Sequence, residues 1–159
     1  MKKFTGAVCA ALLMLGLSAT PAMAQTASAA LPTFPVTLNG VVMEQQYAQY
    51  PLLVYKDITY VPMTWEDTRL LGLDSSWTQA TGLVIDKADV VQDQKTAQSA
   101  YRPYKTAAAN WKSYKATTAS GKITVNGKSI NNSKEEYPLL LFRDVTYFPL
   151  TWRFAVTEF

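Results

Sequence analysis

The sequence predicts an α+β protein: small antiparallel β-sheet units, each packed on one α-helix, in two tandem copies of which the second is incomplete. Three observations predict it. A block of strand-forming residues that ends in a helix start occurs twice at a constant offset of 87. Tight-turn dipeptides divide each block into hairpins. The second block reaches the end of the 159-residue sequence before its last hairpin.

The N-terminus reads as an export signal. Met1, Lys2 and Lys3 form a basic start, an apolar run follows from Phe4 to Leu17, and Thr20-Pro21 precede the small-residue site Ala22-Met23-Ala24. That is the layout of a secretory signal peptide, residues 1–24, cut after Ala24. A second Ala-x-Ala pattern, Ala27-Ser28-Ala29, leaves a cut a few residues later open. The run falls short of the ~20 apolar residues a membrane anchor needs, so no transmembrane segment is expected after cleavage. Cys9 would leave with the signal, and the mature chain would have neither disulfides nor thiolate metal ligands.

Composition narrows the chemistry. The chain has no histidine, which excludes a Ser/His triad, a Cys/His dyad and His-ligated metals, and removes the commonest general base near pH 7. Without Lys2 and Lys3 the charge is 13 basic against 12 acidic residues, which points to neither nucleic acid nor a membrane surface.

The first unit spans residues 34–86. Asn39-Gly40, between Val36-Thr37-Leu38 and Val41-Val42-Met43, is a strong hairpin signal, because a type I′ turn needs positive φ at both central positions. Pro51 to Tyr55 and Ile58 to Val61 are β-branched and aromatic runs around Lys56-Asp57, a second hairpin in which Asp57 favours the turn by bonding nearby backbone. After Pro62, Thr64 caps a helix with Glu66 and Asp67 in its first turn. Trp65, Thr68, Leu70 and Leu71 give it an apolar stripe, and Gly72 ends it. Trp77 and Leu83-Val84-Ile85 flank Gln79-Ala80-Thr81-Gly82 as a third hairpin. Trp65 and Tyr60, with their copies Trp152 and Tyr147, are expected mostly in the core.

Residues 87–121 read as a linker rich in Ala, Thr, Gln, Ser and Lys. No acidic residue occurs from Gln94 to Lys134. Tyr101, Arg102, Tyr104, Lys105, Trp111, Lys112, Tyr114 and Lys115 interleave cations with aromatic rings, a pattern suited to a polyanion or glycan: cations meet phosphates and rings stack on sugars. The competing reading is a soluble tether whose aromatics pack back on the sheets.

The second unit spans residues 122–159. Ile123-Thr124-Val125-Asn126-Gly127 repeats the first turn, and Tyr137–Trp152 repeats Tyr50–Trp65 with 10 of 16 positions identical. Phe159 falls opposite Gly72, so Leu73–Asp86 have no counterpart. A sheet without those strands exposes unpaired backbone. Truncation, a degenerate copy that packs on the first, and strands from another chain all remain open, with truncation favoured.

These motifs carry a resemblance. The hydrophobic-Asn-Gly turn, Tyr-Pro-Leu-Leu, Asp-(Ile/Val)-Thr-Tyr-(Val/Phe)-Pro-(Met/Leu)-Thr-Trp, Leu-Leu-Gly-Leu and a Trp before Gly-Leu-Val-Ile are similar to the stalk domain family, named after the N-terminal domain of some bacterial copper amine oxidases. The resemblance implies a twisted antiparallel sheet wrapped around a helix, in tandem on exported proteins of Gram-positive bacteria. It brings no catalytic residue. Copper amine oxidases hold copper with histidines and build a quinone in a separate domain, so no copper, no cofactor and no enzymatic activity are expected here. The functional expectation is a non-catalytic, secreted module of the cell surface or wall. Its partners would be a wall polymer or another surface protein, not nucleic acid. The alternative is carbohydrate or anionic-polymer binding through the basic aromatic residues.

Overall fold

The computed structural model describes residues 24–89 and 93–159. The expected signal peptide lies outside the described residues, apart from Ala24. The strands are β1 (Thr26–Ala30), β2 (Thr37–Leu38), β3 (Val41–Val42), β4 (Leu53–Tyr55), β5 (Ile58–Pro62), β6 (Leu73–Thr78), β7 (Gly82–Lys87), β8 (Ser113–Thr118), β9 (Ile123–Val125), β10 (Lys128–Ser129), β11 (Leu140–Phe142) and β12 (Val145–Pro149). The helices are α1 (Trp65–Leu70), α2 (Gln94–Ala100), a 3-10 turn (Asn132–Lys134) and a π-helix (Arg153–Glu158).

Local turn chemistry acts as the sequence suggests. Asn39 and Gly40 sit at φ 43° and 83°, and Asn126 and Gly127 at 47° and 74°. Lys56-Asp57 and Arg143-Asp144 are also left-handed, with φ between 49° and 63°. The aspartates therefore serve these turns by tolerating positive φ, which ordinary side chains resist. Thr64 caps α1, its hydroxyl accepting the Asp67 amide at 3.2 Å. Gly72, at φ 73°, ends the helix.

The assembly of these elements corrects the expected fold class. The protein is mostly β, and the copies do not build separate sheets, each on its own helix. Six strands close an antiparallel barrel in the order β1-β4-β5-β12-β11-β8, with strands of both copies side by side. The seam is β5 against β12, where Tyr60 faces Pro149, Val61 faces Phe148 and Pro62 faces Tyr147. At an offset of 87, Phe148 is the copy of Val61, so a pseudo-twofold axis passes through that pair. The physical reason is the edge: a lone β4–β5 hairpin is marginal in water and has two unpaired sides. Pairing it with its copy removes one edge from each, and β1 and β8 close the ring.

β8 comes from the stretch read as a linker, and β1 begins two residues after Ala24. Both are rich in small residues. Ala27, Ala29 and Ala116 point inward and are buried, leaving room for Leu53, Tyr60, Leu140, Phe142 and Tyr147. Tyr55–Tyr60 and Phe142–Tyr147, copies of each other, meet edge to face at 6.1 and 6.0 Å.

A second core lies outside the barrel, where Val61 and Phe148 turn toward Leu38, Met43, Leu70, Ile85, Ile123 and Phe154. Here too the copies cross. The β9–β10 hairpin of the second copy joins β6–β7 of the first in a sheet ordered β10-β9-β7-β6, while β2–β3 stand as a two-stranded sheet.

The barrel interior holds one unsettled polar pair. The hydroxyls of Tyr60 and Tyr147 are buried without a hydrogen-bond partner, and burial raises both pKa values. An unpaired buried hydroxyl costs ~1–3 kcal/mol. Tyr60→Phe and Tyr147→Phe should each leave stability unchanged or raise it by about 1 kcal/mol in urea unfolding; a loss of that size would show that a buried water pairs the hydroxyl.

Candidate functional site

The eight residues of the basic aromatic pattern lie on the path from α2 to β8, which is fastened to the segment before β4. Asn110 is the clamp. Its side-chain amide donates to the carbonyls of Gln45 and Ala48, each at 2.7 Å, and its carbonyl oxygen accepts the Tyr114 hydroxyl at 2.8 Å. Backbone bonds from Gln49 to Tyr104 and from Thr106 to Tyr47, both 2.8 Å, zip the two segments together. This segment is therefore held against the body by directed bonds.

The structure divides the eight. Tyr101 and Tyr114 are half-buried and structural: the Tyr101 hydroxyl donates to Asp67 at 2.9 Å, and the Tyr114 ring lies under the Arg143 guanidinium at 5.0 Å. Lys115 is exposed on β8, where strand alternation puts it on the face opposite Tyr114. Arg102 bonds the carbonyls of Ser99 and Tyr101, both at 2.8 Å. Tyr104, Lys105, Trp111 and Lys112 are exposed at the two ends of the clamped loop. On the clamped loop those four are what remains available for a ligand.

The expectation for the tryptophans needs revision. Tyr60 and Tyr147 are fully buried, but Trp65 and Trp152 are 57% and 75% exposed, as are Trp77 at 70% and Trp111 at 77%. All four tryptophans of the chain are on the surface. On α1 the buried positions are Asp67, Thr68 and Leu70. Trp65 lies outside that stripe and is covered by Arg69, whose guanidinium sits 4.8 Å from the ring.

Asp67, an acid of the first turn of α1, is the carboxylate whose pKa is markedly raised. It is buried beside the outer core; Thr64 donates a short hydrogen bond to one of its oxygens and Tyr101 donates to the other. Burial pushes its pKa up to about 6, the nearby Glu66 adds to this, and the two hydroxyl donors pull it back. Its copy in the second unit is Phe154, equally buried, so the position asks for an occupant of the core more than for a charge. The cavity beside Asp67 and Tyr101 measures about 10 Å³, room for one water at most. Asp67 therefore works as a fastener between α1 and the end of α2.

A wider cleft of about 880 Å³ opens at another side, lined by Gln25, Tyr55, Lys56, Ser120, Asn131 and Glu135 among others. Its charges are engaged: Lys56 donates to the Glu136 carbonyl at 3.1 Å, and Arg153 pairs with Glu135 at 2.5 Å. Among the described residues no group of three His, Cys, Asp or Glu is gathered to hold a metal ion, and no helix is long and apolar enough to cross a membrane. No protein-family profile, curated protein or solved structure matches the chain.

The raised Asp67 pKa has a definite sign. Between about pH 4 and 6 the unfolded chain has lost this proton and the folded one keeps it, so stability falls as pH rises through that window and is level above it. Asp67→Asn, which can still accept from Tyr101, should remove this slope and be more stable than the parent at pH 7 by on the order of 2 kcal/mol. Melts at pH 4, 5, 6 and 7 test it; an Asp67-dependent stability that rises across the window would contradict the assignment.

Proposed function

We propose that this protein is an exported, non-catalytic structural and interaction module of the cell surface or cell wall, built from two stalk-type repeats. The observation that carries the reading is the segregation of its aromatic residues. The buried rings are all tyrosine or phenylalanine, namely Tyr60, Phe142, Tyr147, Phe148 and Phe154, while every tryptophan lies on the surface. Tryptophan is the most expensive residue to leave in water, and its enrichment at interfaces follows from its large amphipathic ring. A catalytic reading has less to stand on: the one carboxylate with a markedly raised pKa is enclosed beside a cavity too small for a substrate.

A second reading, binding of a wall glycan or anionic polymer, is favoured by the four exposed residues of the clamped loop. Trp111 offers a ring face beside Lys112, and Tyr104 does so beside Lys105. Co-sedimentation with wall sacculi, with and without their anionic polymer, tests both readings. Trp111→Ala with Lys112→Ala should reduce sedimentation several-fold and leave the melting temperature unchanged if the loop is the contact. Loss of binding with rising salt marks the polymer phosphates as its target. Turnover of a wall substrate by the purified protein would overturn both readings.

The position of β1 bears on where the proposed export signal would be cut. Ala27 and Ala29, which imitate a second cleavage site, face the barrel interior and are each 1% exposed. A cut after Ala29 would delete all but one residue of β1 and reopen the barrel between β4 and β8. Mass spectrometry of the secreted protein should therefore find Gln25 at the N-terminus, and a start at Ala30 would be incompatible with this barrel.

A further inference from the structure

The offset of 87 reaches beyond the repeated blocks. It maps β1, Thr26–Ala30, onto residues 113–117 of β8, and in their ladder Ser28 faces Lys115, its own copy. The barrel's pseudo-twofold axis therefore passes through this pair as well as through Val61 and Phe148. The turn cations obey the same symmetry. Lys56 donates to the Glu136 carbonyl at 3.1 Å, and Arg143, its copy, donates to the carbonyl of Gln49, the copy of Glu136. Two equivalent hollows result, each between the turn cation of one copy and the segment that leads into Tyr-Pro of the other.

The chain fills one hollow itself. The clamped loop before β8 lies against residues 45–49, with Asn110 bonded to the Gln45 and Ala48 carbonyls and Arg143 reaching the Asn110 side-chain oxygen at 3.3 Å. The other hollow is the cleft of about 880 Å³, walled by Tyr55 and Lys56 on one side and by Asn131, Ser133 and Glu135 on the other. Residues 103–111 of the clamped loop correspond to residues 16–24, the stretch that the proposed cut after Ala24 removes. The mature protein would carry this hollow as a surface cleft that begins at Gln25.

The cleft wall is rich in neutral polar groups. Its two charged residues are engaged, Lys56 on the Glu136 carbonyl and Glu135 with Arg153 at 2.5 Å. The Ser120 and Ser129 hydroxyls, the Gln25 carboxamide and the Asn131 amide nitrogen have no hydrogen-bond partner among the described residues, and all four residues are exposed. Tyr55 adds an aromatic ring, half-buried and braced edge to face on Tyr60. A strand edge is not offered: the 3-10 turn Asn132–Lys134 draws the Lys134 and Glu135 amides onto the carbonyls of Asn131 and Asn132. Hydroxyls and carboxamides that both donate and accept, around one ring, match a polyhydroxylated ligand better than a polyanion or an extended peptide.

We propose that this cleft binds an uncharged oligosaccharide, at a site separate from the clamped loop. The sugar hydroxyls exchange hydrogen bonds with Gln25, Ser120, Ser129 and Asn131, and the C–H face of one ring packs on Tyr55. The cleft volume lies within the ~300–1,000 Å³ of ordinary small-molecule sites. The proposal deepens the glycan-binding reading: it rests on that reading for the source of the sugar and on the cut after Ala24 for access.

The test is titration of the secreted protein with the tetramer of N-acetylglucosamine, followed by calorimetry and by amide NMR shifts. Saturable binding is expected, with shifts at Ser120 and residues 129–133 and little change between low and high salt, since no phosphate is involved. Ser129→Ala with Asn131→Ala, both exposed and outside the cores, should weaken binding about tenfold or more at an unchanged melting temperature. Trp111→Ala, on the clamped loop, should bind the tetramer as the parent does. The proposal is overturned by absent binding at millimolar tetramer, by equal binding to the double variant, or by shifts confined to the clamped loop. It is also overturned if an anionic polymer or an extended peptide, and not the tetramer, shifts these amides. A protein that sediments with wall sacculi but ignores the tetramer would overturn this proposal and leave the broader function standing.

Discussion

The pairing of β5 with β12 is the contact on which the rest of the structure depends. Val61 and Phe148 meet on the pseudo-twofold axis, are 0% and 1% exposed, and project into the outer core. Their neighbours Tyr60 and Tyr147 project the other way, into the barrel. Strands with a core on both faces need apolar residues at successive positions, not alternate ones. That is why Tyr-Val-Pro-Met and Tyr-Phe-Pro-Leu are apolar at successive positions in both copies. Without this seam the ring would open into a sheet with β5 and β12 as unpaired edges.

Beyond the seam the copies part company, and the difference traces to single residues. Three residues after Thr64 the first copy has Asp67, and at the matching position the second has Phe154. A buried carboxylate needs donors, and Tyr101 comes from the end of α2 to supply one. A buried phenyl needs rings, and Phe154 finds Phe148 at 5.1 Å and Phe159 at 5.8 Å. The backbone follows: α1 is a capped α-helix, whereas Arg153–Glu158 widens to a π-helix with no side-chain cap. The Asn126 side chain accordingly reaches the carbonyl of Glu158, one residue beyond the exact copy of the Leu70 carbonyl that Asn39 uses.

The local structure of the repeats was largely legible in the sequence: four left-handed turns, the Thr64 cap, the Gly72 stop, the β6–β7 hairpin and the repeat itself, though not α2 in the stretch read as a linker. Which strands would pair was not, because edge pairing between segments some 87 residues apart leaves no local trace. β1 was hidden by composition, since Thr-Ala-Ser-Ala-Ala is poor in strand formers, and β8 by its place in a polar stretch rich in Lys, Ala and Thr. Their alternating small residues make sense only beside the large tyrosines they accommodate. Asn110, the clamp of the candidate loop, follows three alanines and carries no signal at all. The tryptophans were misplaced because a ring at helical spacing is normally core, and here the six-residue α1 buries a narrower stripe.

Crossed copies also decide how the chain can fold. β1 pairs with β8 at a separation of about 90 residues, as Thr26 with Thr117 shows, and β5 waits for β12. Loops of this length are costly to close before their contacts form, and neither copy holds a complete sheet to fold upon first. The barrel therefore cannot close until β12, which ends at Pro149, has been made. If the protein is exported as proposed, that delay is useful: the strand next to the proposed cleavage site waits for β8 before its main ladder can form. Its Ala, Ser and Thr composition offers little apolar surface for aggregation meanwhile. The composition that disguises β1 as part of a signal boundary is thus the same one that suits it to wait there and then fill the narrow space beside Tyr60 and Tyr147.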